Sequence, residues 1–177
     1  MLVTEFNTSI RYTLQDIEKR RWSDLELLDY VNEGIRDVAL RTFYNRVSET
    51  IFVTSSTSDY TLAKNTIKVS EVRTNQPFLI KSRNVIHFPT PQQEEAEVIY
   101  YAYPTAITTD INEEIDIIDS LKYFVLHKCY EKEDSPENFQ KASYFLSKYI
   151  EHLRENMTRW HGDVDVLLSK SDYFNKG

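Results

Sequence analysis

Large apolar residues recur at helical spacing at both ends of the chain, and between them the period shortens to that of strands. Leu2, Phe6, Ile10, Leu14 and Ile17 form a near-fourfold stripe, which predicts a first helix over about 2–19. Trp22-Ser23-Asp24-Leu25-Glu26 then opens a second. Ser23 followed by Glu26 has the spacing of a capping box, and Trp22 stands where it can staple onto Leu27. From Leu28 the seam continues through Val31, Ile35 and Val38, so helix two is expected over about 24–44.

From Val47 to Tyr103 the chain turns to short runs of Val, Ile, Thr, Tyr and Phe separated by polar residues. That is a strand pattern, and it predicts a β-rich insertion over about 47–103. The strands expected are 48–54, 59–62, 66–73, 78–81, 85–88 and 96–103, with a hairpin at Lys81-Ser82-Arg83-Asn84. Val98, Ile99, Tyr100 and Tyr101 scarcely alternate, which requires both faces of the last strand to be covered or one to await a partner.

Helix three is expected over about 114–132, with Ile118, Leu121, Val125 and Cys129 on one face and carboxylates at its positive end. Ser135-Pro136 caps helix four, expected over about 136–160. Its seam reads Phe139, Ala142, Leu146, Tyr149, Leu153, Met157 and Trp160 and calls for lengthwise packing on other helices. Gly162 ends the pattern. Beyond it, Val164, Val166, Leu167, Leu168, Tyr173 and Phe174 are too apolar for a solvated segment, so 161–177 reads as a docking arm. The expectation is an α+β fold: a four-helix bundle, two helices from each end, with the β insertion between helices two and three and an extended C-terminal arm. Residues 1–160 read as a single domain.

The net charge of −7 opposes a protein that grips nucleic acid over a broad face, because phosphate binding draws most of its affinity from Lys and Arg. No apolar run is long enough to span a bilayer, and Met1-Leu2-Val3-Thr4-Glu5-Phe6 lacks a secretory signature, so a cytosolic protein with no membrane partner is expected. The single cysteine, Cys129, reads as a buried structural thiol.

Catalytic chemistry finds little footing. Three scattered glycines exclude a phosphate-binding loop, and His87, His127, His152 and His161 sit in no nucleophile motif. His127 and Cys129 point to different sides of a helix and cannot share a zinc ion there. The acidic cluster Asp110, Glu113, Glu114, Asp116 and Asp119 lacks the order of a calcium loop and reads first as a helix start. No catalytic residue, metal or cofactor is expected. Arg11, Lys19, Arg20 and Arg21, and again Arg36, Arg41 and Arg46, read as ordinary surface charge, partly paired as in Asp37 with Arg41. A sharper reading docks them on an acidic neighbour.

Three stretches carry a family resemblance: Trp22 to Glu33, Val98 to Pro104, and Ile115 through Glu133 to Phe145. Over roughly residues 8–160 the chain resembles the head-to-tail adaptor, or connector, proteins of tailed bacteriophages. The resemblance implies a non-enzymatic virion protein at the head-tail junction, assembled in the host cytoplasm as a twelvefold ring beneath the portal. It would extend the DNA channel, pass DNA without sequence-specific contact and offer a platform to the tail or the next connector protein. An acidic chain suits a channel that must not hold DNA, and an apolar arm suits insertion into a portal or neighbour. The acidic cluster is then a candidate channel lining. Two other readings are an oligomeric non-viral interaction domain that captures helices along helix four, and a small metal-dependent enzyme using carboxylates near 94–97 or 110–119.

Overall fold

The computed structural model describes residues 1–133 and 135–161, and the side chains up to residue 158. Elements follow in the order α1 (Val3–Leu14), α2 (Asp24–Thr42), β1 (Arg46–Val53), β2 (Asp59–Thr61), β3 (Thr66–Arg73), β4 (Leu79–Ser82), β5 (Val85–His87), β6 (Glu94–Ala102), α3 (Ile115–Lys132) and α4 (Pro136–His161). The chain forms two compact units, Phe43–Pro104 and the helices on either side of it in sequence. The strand-rich insertion between helices two and three is present as expected. The four-helix bundle is not.

In the helical unit the antiparallel pair α3 and α4 makes the most extensive contact, α2 lies mainly on α3, and α1 is a short piece touching α2 and α3. Helices of 12, 19, 18 and 26 residues cannot share one full-length bundle seam. The α3/α4 seam is a ladder of rings and polar ties. Tyr130 stacks on Phe145 at 5.6 Å, Phe124 meets Tyr149 edge-on at 5.2 Å and Tyr123 meets His152 at 4.9 Å. Asn156 closes one end by donating to the Asp116 carbonyl at 3.2 Å, and Nδ1 of His127 lies 3.1 Å from the Ala142 carbonyl. Tyr149 also donates to Asp37 on α2 at 2.6 Å, where Arg41 holds the same carboxylate oxygen at 2.7 Å.

Cys129 lies fully buried on α3, and burial pushes its thiol up to about 12. Helix four departs from the expected seam at its start. Ala142, Tyr149, Leu153 and Met157 are buried, but Phe139 is exposed, because α3 has already ended where the first turn of α4 begins.

Helix one stops at Leu14, five residues before the expected end. Gln15 adopts a left-handed conformation (φ 55°), and the Asp16 N–H donates to the Arg11 carbonyl at 3.0 Å, the long bond of a Schellman-type ending. Phe6, Ile10 and Leu14 are buried, while Leu2 and Ile17, at the two ends of the stripe, stay exposed. Helix two ends at Thr42 because Phe43 is also left-handed (φ 52°).

The strand unit contains two three-stranded antiparallel sheets, ordered β1-β6-β3 and β2-β5-β4. The hairpin expected at Lys81–Asn84 joins β4 to β5. The weak alternation of β6 follows from its central place. Ala96, Val98, Tyr100 and Ala102 enter a core with Val53, Leu62, Ile86 and Phe88, and Ile99 on the opposite face is buried too. The strand unit thus owns a core of its own.

Gly34 on α2 packs tightly on α3: a Cβ there would stand 2.8 Å from the Phe124 ring and 3.0 Å from a Leu121 methyl. Gly34→Val should therefore cost about 1–3 kcal/mol by overpacking, and Gly34→Ala less, since helix propensity returns about 1 kcal/mol. Urea midpoints of the two variants measure this, and an unchanged Gly34→Val midpoint would contradict the packing.

Burial holds His127 below its ordinary pKa, against the opposing pull of Glu131 and the Ala142 carbonyl. A depressed histidine contributes stability that is complete above its unfolded pKa of about 6.5 and is lost as pH falls from there toward the folded value. Unfolding free energy should accordingly drop as pH falls below about 7, and His127→Gln should flatten that drop.

Candidate interaction surfaces

Charge at the α1–α2 turn is consumed within the chain. Arg11, which its spacing places with surface basic residues, is 4% exposed and lies between Asp16 at 2.9 Å and Asp24 at 2.8 Å. Lys19 reaches Asp24 at 2.5 Å, Arg20 pairs with Glu18, and Arg21 meets Glu133 at 3.0 Å while crossing the Trp22 ring. Burial raises the pKa of Asp16, but the backbone N–H groups of Arg21, Arg20 and Trp22 and the charge of Arg11 outweigh it and hold the carboxyl below its usual range. The basic concentration at the end of helix one is therefore spent on its own carboxylates. Of the second group, Arg41 pairs with Asp37 as expected, and Glu33 on the same helix is held by Lys128 at 3.2 Å.

The helix-two cap forms where its residues suggested. The Glu26 N–H donates to Ser23 Oγ at 3.1 Å. The Glu26 carboxylate is drawn chiefly to Lys132, with Tyr30 and the Ser23 backbone N–H also acting on it, and these hold it below the usual range. One residue thus caps α2 and ties it to the end of α3.

Four large apolar side chains on α1, on the turn after it and on the first turns of α2 and α4 are exposed: Tyr12 at 65%, Ile17 at 63%, Leu25 at 74% and Phe139 at 71%. Residues beside them in sequence tie these elements to one another: Arg11 binds Asp24, Lys132 binds Glu26, Arg21 binds Glu133, and Asn138 donates to Glu133 at 2.9 Å. An end with paired charges and projecting aromatic and aliphatic groups has the composition of the centre of a protein interface. Sequence reasoning missed these residues. The signal was that Leu25 lies off the seam of helix two and that Phe139 precedes any residue of α3 able to cover it.

The strand unit offers a second apolar surface. All four residues of β4, an edge strand, are exposed, and Leu79 and Ile80 are prominent among them beside Phe78. Open apolar edges are pairing templates. Lys81 and Nδ1 of His87 both lie on Asp59, at 2.9 and 2.5 Å, and hold its carboxyl below the usual range.

The acidic cluster is spread over a loop and the start of α3. Asp110 is exposed and bridges to Leu2, Glu114 is the N-cap of α3, Asp116 is in its first turn, and Asp119 pairs with Lys122 at 2.9 Å. Among the described residues no group of three His, Cys, Asp or Glu is gathered as a metal would require. The strand unit balances six basic against six acidic residues, so the net charge of −7 belongs to the rest of the chain. The arm residues Val164, Val166, Leu167, Leu168, Tyr173 and Phe174 lie outside the described residues. Among those described, no helix is long and apolar enough to cross a membrane. No protein-family model matches the chain, and no curated protein matches it.

If Leu25 and Phe139 serve contact rather than the core, Leu25→Glu and Phe139→Glu should leave folding free energy within about 0.5 kcal/mol of the parent. Leu27→Glu, two positions along and fully buried, should unfold the helical unit by forcing a charge into an apolar site. Thermal melts followed by circular dichroism compare the three.

Proposed function

We propose that the chain is a head-to-tail connector subunit of a tailed bacteriophage. The carrying observation is the element order helix, helix, strands, helix, helix, joined to the residues of the resemblance at Trp22–Glu33, Val98–Pro104 and Ile115–Phe145. In this reading twelve copies form a ring under the portal, extend the DNA channel and carry the tail or the next connector protein. Its work is contact rather than catalysis. The exposed groups at the α1–α2 turn and on β4 supply apolar contact area, and the arm after His161 supplies a latch for the portal. The surplus negative charge outside the strand unit lets DNA pass by lowering the affinity of the wall for phosphates.

The test is to mix the purified chain with portal rings of the same phage and image the mixture by electron microscopy. Ring density capping the portal is expected. Bare portals at saturating chain concentration would overturn the reading. Deleting residues 162–177 should reduce the fraction of capped portals while leaving the helical circular dichroism nearly unchanged.

A further inference from the structure

Two polar atoms of α1 are buried with no hydrogen-bond partner among the described residues, Oδ1 of Asn7 and Nε of Arg11. Both residues are 4% exposed. They are four apart in sequence, and so stand one helical turn from each other on the buried side of α1 that also carries Phe6, Ile10 and Leu14. One atom is an acceptor and the other a donor, so each needs what the other offers.

The guanidinium is not free to turn toward Asn7. Its Nη1 is held by Asp16 at 2.9 Å and its Nη2 by Asp24 at 2.8 Å, which fixes the plane of the group and with it the direction of the Nε–H. Asn7 has the shorter side chain, and its oxygen makes no bond to Nε. Leaving both atoms unpaired would forfeit two hydrogen bonds away from solvent, and one of the two belongs to a charged group, for which the loss is greater.

We infer that one buried water molecule bridges the two side chains, accepting from the Arg11 Nε–H and donating to Asn7 Oδ1. Two hydrogen bonds of about 2.8 Å that meet at one oxygen suit groups carried on Cβ atoms about 5–6 Å apart. The chemistry of the pair selects water over other small occupants. A cation would meet the guanidinium charge, an anion would meet the amide oxygen, and an apolar group would satisfy neither. A buried water is held by two or more polar partners, and this site supplies them. With the water in place each arm of Arg11 is engaged: Nη1 on Asp16, Nη2 on Asp24, and Nε through water on Asn7. The bridge also accounts for Asn7 itself, a poor helix former on an otherwise apolar side of its helix. It is independent of the connector reading.

The test is water-to-protein cross-relaxation by nuclear magnetic resonance on the full chain with isotope-labelled arginine, the Arg11 Nε–H resonance being identified by its loss in Arg11→Lys. That resonance should receive Overhauser peaks from water that differ in sign between the laboratory and rotating frames, which separates a held water from proton exchange. Asn7→Leu puts an apolar side chain of similar size in the same place and should abolish the peak while leaving the helical circular dichroism unchanged. An Nε–H that shows only exchange, one that shows no water peak, or one that keeps its full peak in folded Asn7→Leu would each overturn the inference. A crystal structure of the full chain gives a second reading that needs no variant. One ordered water within hydrogen-bond distance of both atoms is expected. A direct Asn7–Arg11 bond, another protein partner for either atom, or no water between them would overturn the inference.

Discussion

The buried guanidinium of Arg11 organises the helical unit. It lies between Asp16 and Asp24, and so binds the last turn of α1 to the turn that follows it and to the first residue of α2. Asp16 in turn accepts N–H groups from Arg20 and Arg21, at 2.9 and 3.1 Å, which folds the connecting segment around it and delivers Trp22 into a buried position. Because a buried charge is tolerated only when paired and hydrogen-bonded, this set of contacts leaves the chain few alternatives at that turn. The start of α2, its cap at Ser23 and its tie through Glu26 to Lys132 all follow from it.

The same junction determines what the surface offers. Cations at the end of α1 are bound by carboxylates of the chain, so the groups left projecting are Tyr12, Ile17, Leu25 and Phe139. The strand unit reaches a comparable result by another route. Its core takes one face of each sheet and leaves β4 open at the edge with apolar side chains outward. Both units thus leave large apolar groups at the surface, which is where the proposed connector reading needs them.

Element order was legible in the sequence, since a change of apolar period from helix to strand needs only local pattern. The hairpin at Lys81–Asn84, the seam of α3 and the cap at Ser23 were read for the same reason. What failed was whatever depended on a partner distant in sequence. Nothing local announces that Gln15 turns left-handed, because the stop uses Asp16 and Arg11 rather than a glycine. Arg11 looked like surface charge because its partner Asp24 is 13 residues away, across the turn. Phe139 fits the spacing of its helix, yet α3 is too short to cover it. The bundle expectation failed because spacing reports that a face is buried, and is silent about which element buries it.

The central claim is that Arg11 and Asp16 act as one unit, and a double-mutant cycle with Arg11→Met and Asp16→Asn tests it most directly. Asparagine keeps an acceptor for the Arg20 and Arg21 N–H groups while removing the charge, so the cycle isolates the ionic coupling. Urea unfolding of the four proteins should give a coupling of about 1.5 kcal/mol or more, the double variant costing clearly less than the two single costs together. Additivity within about 0.5 kcal/mol would contradict the account.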